Sequence, residues 1–140
     1  MADCDVLVVG AGNAALAAAV SAREQGAARV VVLEKAPREL RGGNTHYSGG
    51  LLRFAYDRAE DLLPLVPDAE QHVPGFLAGV EPYPGKRFQA DLERVTEGRS
   101  DPELAEILIG RSYDTVRWMA RANDRAGRPL DRVTHAHAAE

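Results

Sequence analysis

Apolar residues in the first part of the chain fall into two short runs separated by an alanine-rich stretch. Val6 to Val9 is a continuous apolar run, typical of a strand buried on both faces in a parallel sheet. Asn13 to about Gln25 is mostly alanine without proline, which predicts a helix, and Gly26 stands where a C-terminal cap is expected. A second apolar run, Arg29 to Leu33, completes a pattern that predicts a right-handed βαβ unit and an α/β, Rossmann-like fold.

The pattern changes after Pro37, where a glycine-rich segment indicates a loop held close against something rather than a regular element. Residues 64–87 contain five Pro and three Gly in 24 positions, which predicts an irregular excursion. Phe88 to Thr96 has the apolar spacing of a short helix. The run Ser100-Asp101-Pro102-Glu103 marks a second helix start, and an apolar stripe carries that helix to about residue 122 despite Gly110.

Composition excludes several classes of protein. The chain has 140 residues and is 45% hydrophobic, enough for one domain with a core. A formal net charge of -4 offers no basic surface for nucleic acid or anionic membranes. Cys4 is the single cysteine, so the sequence predicts neither a disulfide framework nor a thiol-based metal site. Acidic residues near the N-terminus, and no apolar run of spanning length, lead us to expect a cytoplasmic protein.

A glycine motif lies directly between the first predicted strand and its helix. Gly10, Gly12 and Ala15 read G-x-G-x-x-A. The first glycine permits a tight turn, the second lets a pyrophosphate approach the backbone, and the small third residue allows close helix packing. The phosphate would lie at the helix N-terminus, where free N–H groups and the dipole favour negative charge. Such a motif is short, and a glycine turn without a ligand is the alternative interpretation.

Glu34 strengthens the nucleotide interpretation. It ends the second predicted strand 22 residues after Gly12, where an acid can accept hydrogen bonds from both ribose hydroxyls. A carboxylate at this position disfavours the 2'-phosphate of NADP by charge repulsion. NAD and FAD therefore remain as the two candidate cofactors.

The segment after Glu34 separates these two cofactors. It runs from Lys35 to Gly50 and contains Gly-Gly-Asn-Thr followed closely by a further Gly pair. Here the chain resembles the flavoprotein subunits of the succinate dehydrogenase and fumarate reductase family, and within that family the tricarballylate dehydrogenase members. The resemblance is strongest over residues 4–54 and extends to the run from Leu92 to Asp101 and the helix after it.

The resemblance implies that FAD is the cofactor and assigns its binding residues. The glycines would offer backbone N–H groups to the phosphates and the ring, and Thr45 and Ser48 would add hydroxyl groups. The residues implied are Gly10, Gly12, Asn13, Ala14 and Ala15 for the pyrophosphate, Glu34 for the ribose, Lys35 and Ala36 beside the adenosine, and Gly42, Gly43, Asn44, Thr45, Ser48, Gly49 and Gly50 along the cofactor toward the flavin.

The resemblance also bears on how the flavin is held. Covalent members of the family attach it through a histidine, which in an ungapped match of the two loops falls on Asn44. Asparagine cannot form that bond, and His46 is offset by two positions. We therefore expect noncovalent FAD. His72, His135 and His137 have no ligand partners at metal-binding spacing, so we predict no metal site.

The activity implied by the resemblance is that of a dehydrogenase or reductase acting on a di- or tricarboxylic acid such as tricarballylate. A hydride would pass to flavin N5 and electrons would pass onward to a membrane-linked acceptor. The family's substrate-binding and catalytic residues lie downstream of this chain, so we assign no catalytic residue within it. Whether the chain alone is an enzyme stays open, and its length indicates a truncated protein or a fragment.

We divide the chain into four predicted segments: an FAD-binding unit with its flavin loop over residues 1–63, an irregular excursion over 64–87, helices over 88–123, and an unpacked tail over 124–140. Two other hypotheses remain at this point. The glycine motif and Glu34 also suit an NAD-binding module, which does not explain the Gly42 to Gly50 loop. A non-catalytic remnant that binds little would suit the short chain and its weakly apolar tail.

Overall fold

The first of two compact units in the chain is a βαβ unit. The structure, a computed structural model, describes residues 3–125, and the division falls between Leu51 and Leu52. In the first unit, β1 (Val6–Val9) and β2 (Val30–Leu33) pair in parallel, and α1 (Asn13–Glu24) connects them and packs against both. The register places Val6 opposite Val30. This confirms the predicted α/β fold with an incomplete parallel sheet.

Small residues on α1 let it lie close to the strands. Ala15 and Ala19 are half-buried, whereas the larger Leu16 and Val20 are 48% and 40% exposed. The helix ends as its sequence predicts, because Gly26 takes φ of 97° and donates its N–H to the carbonyl of Arg23. The apolar side chains that mark this helix in the sequence therefore lie on its more exposed face.

The glycine-rich loop after β2 contains a regular element, which corrects the expectation of a loop without one. Gly43–Tyr47 forms a 3-10 helix, entered through Gly42 with φ of 107°. Only glycine adopts this backbone conformation without strain, so Gly42 sets the direction in which the loop turns. The loop is thereby a folded element with fixed side-chain positions.

The second unit is built mainly from two longer helices. Its elements are a 3-10 helix at Ala59–Leu62 and the helices α2 (Ala69–His72), α3 (Phe76–Gly79), α4 (Gly85–Thr96) and α5 (Pro102–Arg125). The helix expected over Phe88 to Thr96 begins three residues earlier than predicted. The capped helix starts at Pro102 because the Asp101 carboxylate accepts the N–H groups of Glu103 and Leu104 at 2.9 and 3.1 Å.

Aromatic and small residues make the core of this second unit. Phe88 and Ala105 are buried, and Ser112 is buried with its hydrogen bonds satisfied. The Ser112 hydroxyl donates to the Ile109 carbonyl at 2.7 Å and accepts the Ala55 N–H at 3.0 Å. A buried hydroxyl with both roles filled carries little desolvation penalty, so it joins α5 to the chain before Tyr56.

Several sequence expectations lie outside the described residues or are not tested within them. The predicted tail, with His135 and His137, falls mostly beyond residue 125, and the predicted segment boundaries at 63, 87 and 123 stay predictions. Within residues 3–125, no helix is long and apolar enough to cross a membrane. Over the same range, no group of three or more His, Cys, Asp or Glu side chains lies in a metal-binding arrangement.

Candidate dinucleotide-binding site

The turn between β1 and α1 is folded tightly onto the end of the sheet. Gly10 has φ of 109° and donates its N–H to the Leu33 carbonyl at 2.6 Å. A Cβ on Gly10 would lie 3.9 Å from the Cβ of Ala15, so the small Ala15 lets the first turn of α1 approach the strand. The G-x-G-x-x-A spacing thus produces the close strand-helix approach that the sequence predicts.

Gly12 lies where a second part of the chain comes close to the turn. Its backbone is extended, with φ of -78° and ψ of 176°, a conformation open to any residue. A Cβ on Gly12, however, would lie 3.3 Å from the Gly42 carbonyl oxygen and 3.6 Å from Thr45 Oγ1. The second glycine-rich loop therefore packs directly against the first, and the absent side chain of Gly12 makes room for it.

Glu34 ties the turn to the end of β2. One carboxylate oxygen accepts the Ala11 N–H at 2.8 Å, and the other accepts the Ala36 N–H at 2.8 Å. Backbone N–H groups, that of Ala36 foremost, hold the pKa of the Glu34 carboxyl below its ordinary value against the opposing effect of desolvation. Glu34 is therefore ionised at neutral pH, and acid would weaken these contacts only as the pH falls through the lowered pKa.

Thr45 ties the same turn to the second glycine-rich loop. Its Oγ1 accepts the Asn13 N–H, the first of α1, at 3.1 Å across 32 residues of sequence. Helix geometry leaves the N–H groups of Ala14 and Ala15 without intrahelical acceptors, and the Leu16 N–H already bonds the Gly12 carbonyl. At the start of α1 the N–H groups of Asn13 and Leu16 are thus bonded to protein, whereas those of Ala14 and Ala15 have no acceptor among the hydrogen bonds of the described residues.

An open pocket of about 540 Å³ lies over this turn. It brings together nine of the fifteen residues predicted to bind the cofactor, and Glu34, Lys35, Ala36, Ser48, Gly49 and Gly50 are not among those that line it. The residues that line it are Val8, Val9, Gly10, Gly12, Asn13, Ala14, Ala15, Gly42, Gly43, Asn44 and Thr45.

The lining suits the diphosphate of a dinucleotide. None of the described residues that line the pocket is acidic, and the positive end of the α1 dipole lies at its floor. Four glycines let the backbone be approached closely, and the free N–H groups at the start of α1 are the donors that phosphate oxygens require. The residues present therefore fit the phosphate part of FAD.

The outer part of the glycine-rich loop uses its polar side chains internally. The Ser48 hydroxyl donates to the Thr45 carbonyl at 2.9 Å, and the His46 ring packs edge-on against Tyr47 with centroids 5.1 Å apart. Ala11 was not among the residues predicted to matter for the site, yet its N–H is one of the two in the turn between β1 and α1 that a side chain accepts. Its position between two glycines of the motif is the signal that could have found it.

Comparisons with known proteins agree with this geometry. Residues 5–140 match the family described as FAD binding domain, so the chain is an FAD-binding flavoprotein domain and FAD, rather than NAD, is its cofactor. With the relatives described next, this match shows that the chain belongs to the succinate dehydrogenase and fumarate reductase flavoprotein family.

Two of the relatives show how much of such a protein the chain covers. Fumarate reductase (cytochrome) of Shewanella frigidimarina is 30% identical over 115 residues, which are 82% of this chain and 17% of that protein. Urocanate reductase of Eggerthella lenta is 27% identical over 136 residues, which are 97% of this chain and 19% of that protein. The chain thus spans less than a fifth of either relative. No solved structure matches it.

The close approach of the two loops predicts the effect of a methyl group at Gly12. Gly12→Ala should destabilise the first unit by about 1 kcal/mol or more, because the Gly42 carbonyl oxygen must move away. Thermal denaturation and FAD titration would measure the change. Gly110→Ala is the matched control, since its Cβ would meet nothing within 4 Å on α5 and should preserve or raise stability. Equal behaviour of the two variants would contradict the packing described.

Proposed function

We propose that this chain holds the ADP half of noncovalent FAD and belongs to an oxidoreductase that acts on a carboxylic acid. The observation that carries the proposal is the packing of two glycine-rich loops on one another at the start of α1, with Glu34 and Thr45 bonded to the turn between them. Backbone N–H groups are thereby held in place before any ligand arrives, which lowers the cost of binding.

We assign the residue roles from the family resemblance together with the positions of the residues that line the pocket. The N–H groups of Gly12, Ala14 and Ala15 bind the diphosphate at the helix N-terminus. Glu34 accepts the adenosine ribose hydroxyls in addition to the N–H groups of Ala11 and Ala36 that it already holds. The loop from Gly42 to Gly50 continues along the cofactor toward the flavin, with Lys35 and Ala36 beside the adenosine.

The substrate class is inferred from the relatives together with the loop sequence. Fumarate and urocanate, named in the two relatives, are both unsaturated carboxylic acids. The Lys35 to Gly50 segment favours a tricarballylate-like di- or tricarboxylic acid within this class. Flavin, when bound, supplies the hydride chemistry, and a membrane-linked acceptor would exchange electrons with it. We assign the groups that bind the substrate carboxylates to parts of such a protein beyond these 140 residues.

Noncovalent binding without turnover is the first expectation for the isolated chain. After incubation with FAD and desalting, the protein should carry a visible flavin spectrum, and acid precipitation should release all of the flavin into solution. Dye reduction with tricarballylate or succinate, and oxidation of a reduced dye with fumarate, should both be absent, because no group within the chain is assigned to orient the substrate. Flavin that remains with the precipitate, or measurable turnover in either dye assay, would contradict this. A colourless protein would contradict FAD binding by the chain itself.

The ribose role of Glu34 can be separated from its structural contacts. Glu34→Ala should weaken FAD binding at least about tenfold, since charge-assisted hydrogen bonds are lost. Wild-type protein should prefer ADP to 2'-deoxy-ADP, and the variant should lose that preference. Glu39→Ala is the control, because Glu39 is exposed and lies in the same loop without being assigned to the cofactor. A preference that survives in Glu34→Ala would remove the ribose assignment while leaving the contacts to Ala11 and Ala36 intact as structural features.

A further inference from the structure

Two side-chain oxygens hold alternate N–H groups of the turn between β1 and α1. Glu34 takes the N–H of Ala11 at 2.8 Å, and Thr45 takes that of Asn13 at 3.1 Å. Gly12 lies between them, with its N–H uncommitted among the hydrogen bonds of the described residues. The turn is therefore fixed from both sides by residues that are distant in sequence.

Thr45 is itself held by the fold of its loop. Its N–H donates to the Gly42 carbonyl at 3.1 Å, and its carbonyl accepts both the Ser48 N–H at 3.2 Å and the Ser48 hydroxyl at 2.9 Å. These bonds fix the Thr45 backbone, from which its hydroxyl reaches the Asn13 N–H. Its hydroxyl also lies near the vacant Cβ position of Gly12, at 3.6 Å, so the contact forms where the two loops are closest.

We propose that Thr45 is a positioning residue that latches the second glycine-rich loop to the start of α1 and so fixes which N–H groups the diphosphate can reach. The latch deepens the proposed function and rests on it, because its effect on binding appears through FAD. Thr45 acts here through Asn13, because its hydroxyl accepts the Asn13 N–H and so aligns the first turn of α1. The N–H groups of Gly12, Ala14 and Ala15 are then left for the ligand.

The contact between Thr45 and Asn13 contributes to binding affinity by holding the site in its binding conformation before the ligand arrives. Without it, the 3-10 helix at Gly43–Tyr47 and the start of α1 would have to be brought together during binding, and the ordering cost would reduce affinity. The effect should be local to the diphosphate, since adenosine is assigned to Glu34 and the residues after it. Ligands that carry a diphosphate should therefore respond to the latch, and adenosine alone should not.

The test compares Thr45→Val, which keeps the shape and removes the acceptor, with Thr45→Ser, which keeps the hydroxyl. Thr96→Val is the matched control, because that threonine loses a similar hydroxyl contact, to the Leu92 carbonyl at 2.8 Å, within the second unit. FAD, ADP and adenosine are titrated into each full chain, and exchange of the Asn13 amide proton is followed by NMR.

Thr45→Val should bind FAD and ADP about three- to tenfold more weakly, bind adenosine as wild type does, and exchange its Asn13 amide proton faster. Thr45→Ser should restore binding to within about twofold. The control should match wild type in all three titrations. Together these results would support a latch that acts through the hydroxyl.

Several results would overturn the proposal. One is wild-type affinity for FAD and ADP in Thr45→Val, and another is an equal loss of affinity in Thr45→Ser and Thr45→Val. A third is a loss of affinity for adenosine in Thr45→Val as large as its loss for ADP. If the wild-type chain binds neither FAD nor ADP, the proposed function fails, and Asn13 exchange alone decides the latch. Slow exchange in wild type and Thr45→Ser with fast exchange in Thr45→Val would then support it, and uniform exchange would overturn it.

Discussion

The backbone N–H groups in the turn after β1 need hydrogen-bond acceptors. The acceptors that they find connect the parts of the first unit to one another. An N–H in this turn has no carbonyl partner within α1, because the first groups of a helix never do. Glu34 and Thr45 supply two of the missing acceptors from the end of β2 and from the second glycine-rich loop. The remaining groups face an open pocket, so the requirement that shapes the turn also creates a place for an anionic ligand.

Conformational freedom explains only some of the glycines in these loops, and the close approach of the two loops explains Gly12. Gly10 and Gly42 need positive φ, but Gly12 does not, and its role is to let a carbonyl oxygen of the second loop come close. The two loops are therefore in direct contact at Gly12.

Sequence patterns were sufficient for the elements that are local and periodic. The apolar runs of β1 and β2 and the alanine-rich α1 have the spacing of a βαβ unit, and the Asp101-Pro102 start of α5 is a short-range signal. Contacts between distant residues were not predictable in this way. No local pattern shows that Thr45 reaches Asn13 or that Gly12 faces Gly42, because both depend on how the loop folds back after β2.

We propose that FAD binds through the free N–H groups of a turn already fixed by protein side chains. The most direct measurement is an NMR titration of the nitrogen-labelled chain with FAD, following each backbone amide. The largest shifts should occur at Gly12, Ala14 and Ala15, while the amides of Ala11 and Asn13, already hydrogen-bonded, should move less. Saturable binding with its largest shifts at Ala11 and Asn13, or away from the turn altogether, would contradict this mode of binding.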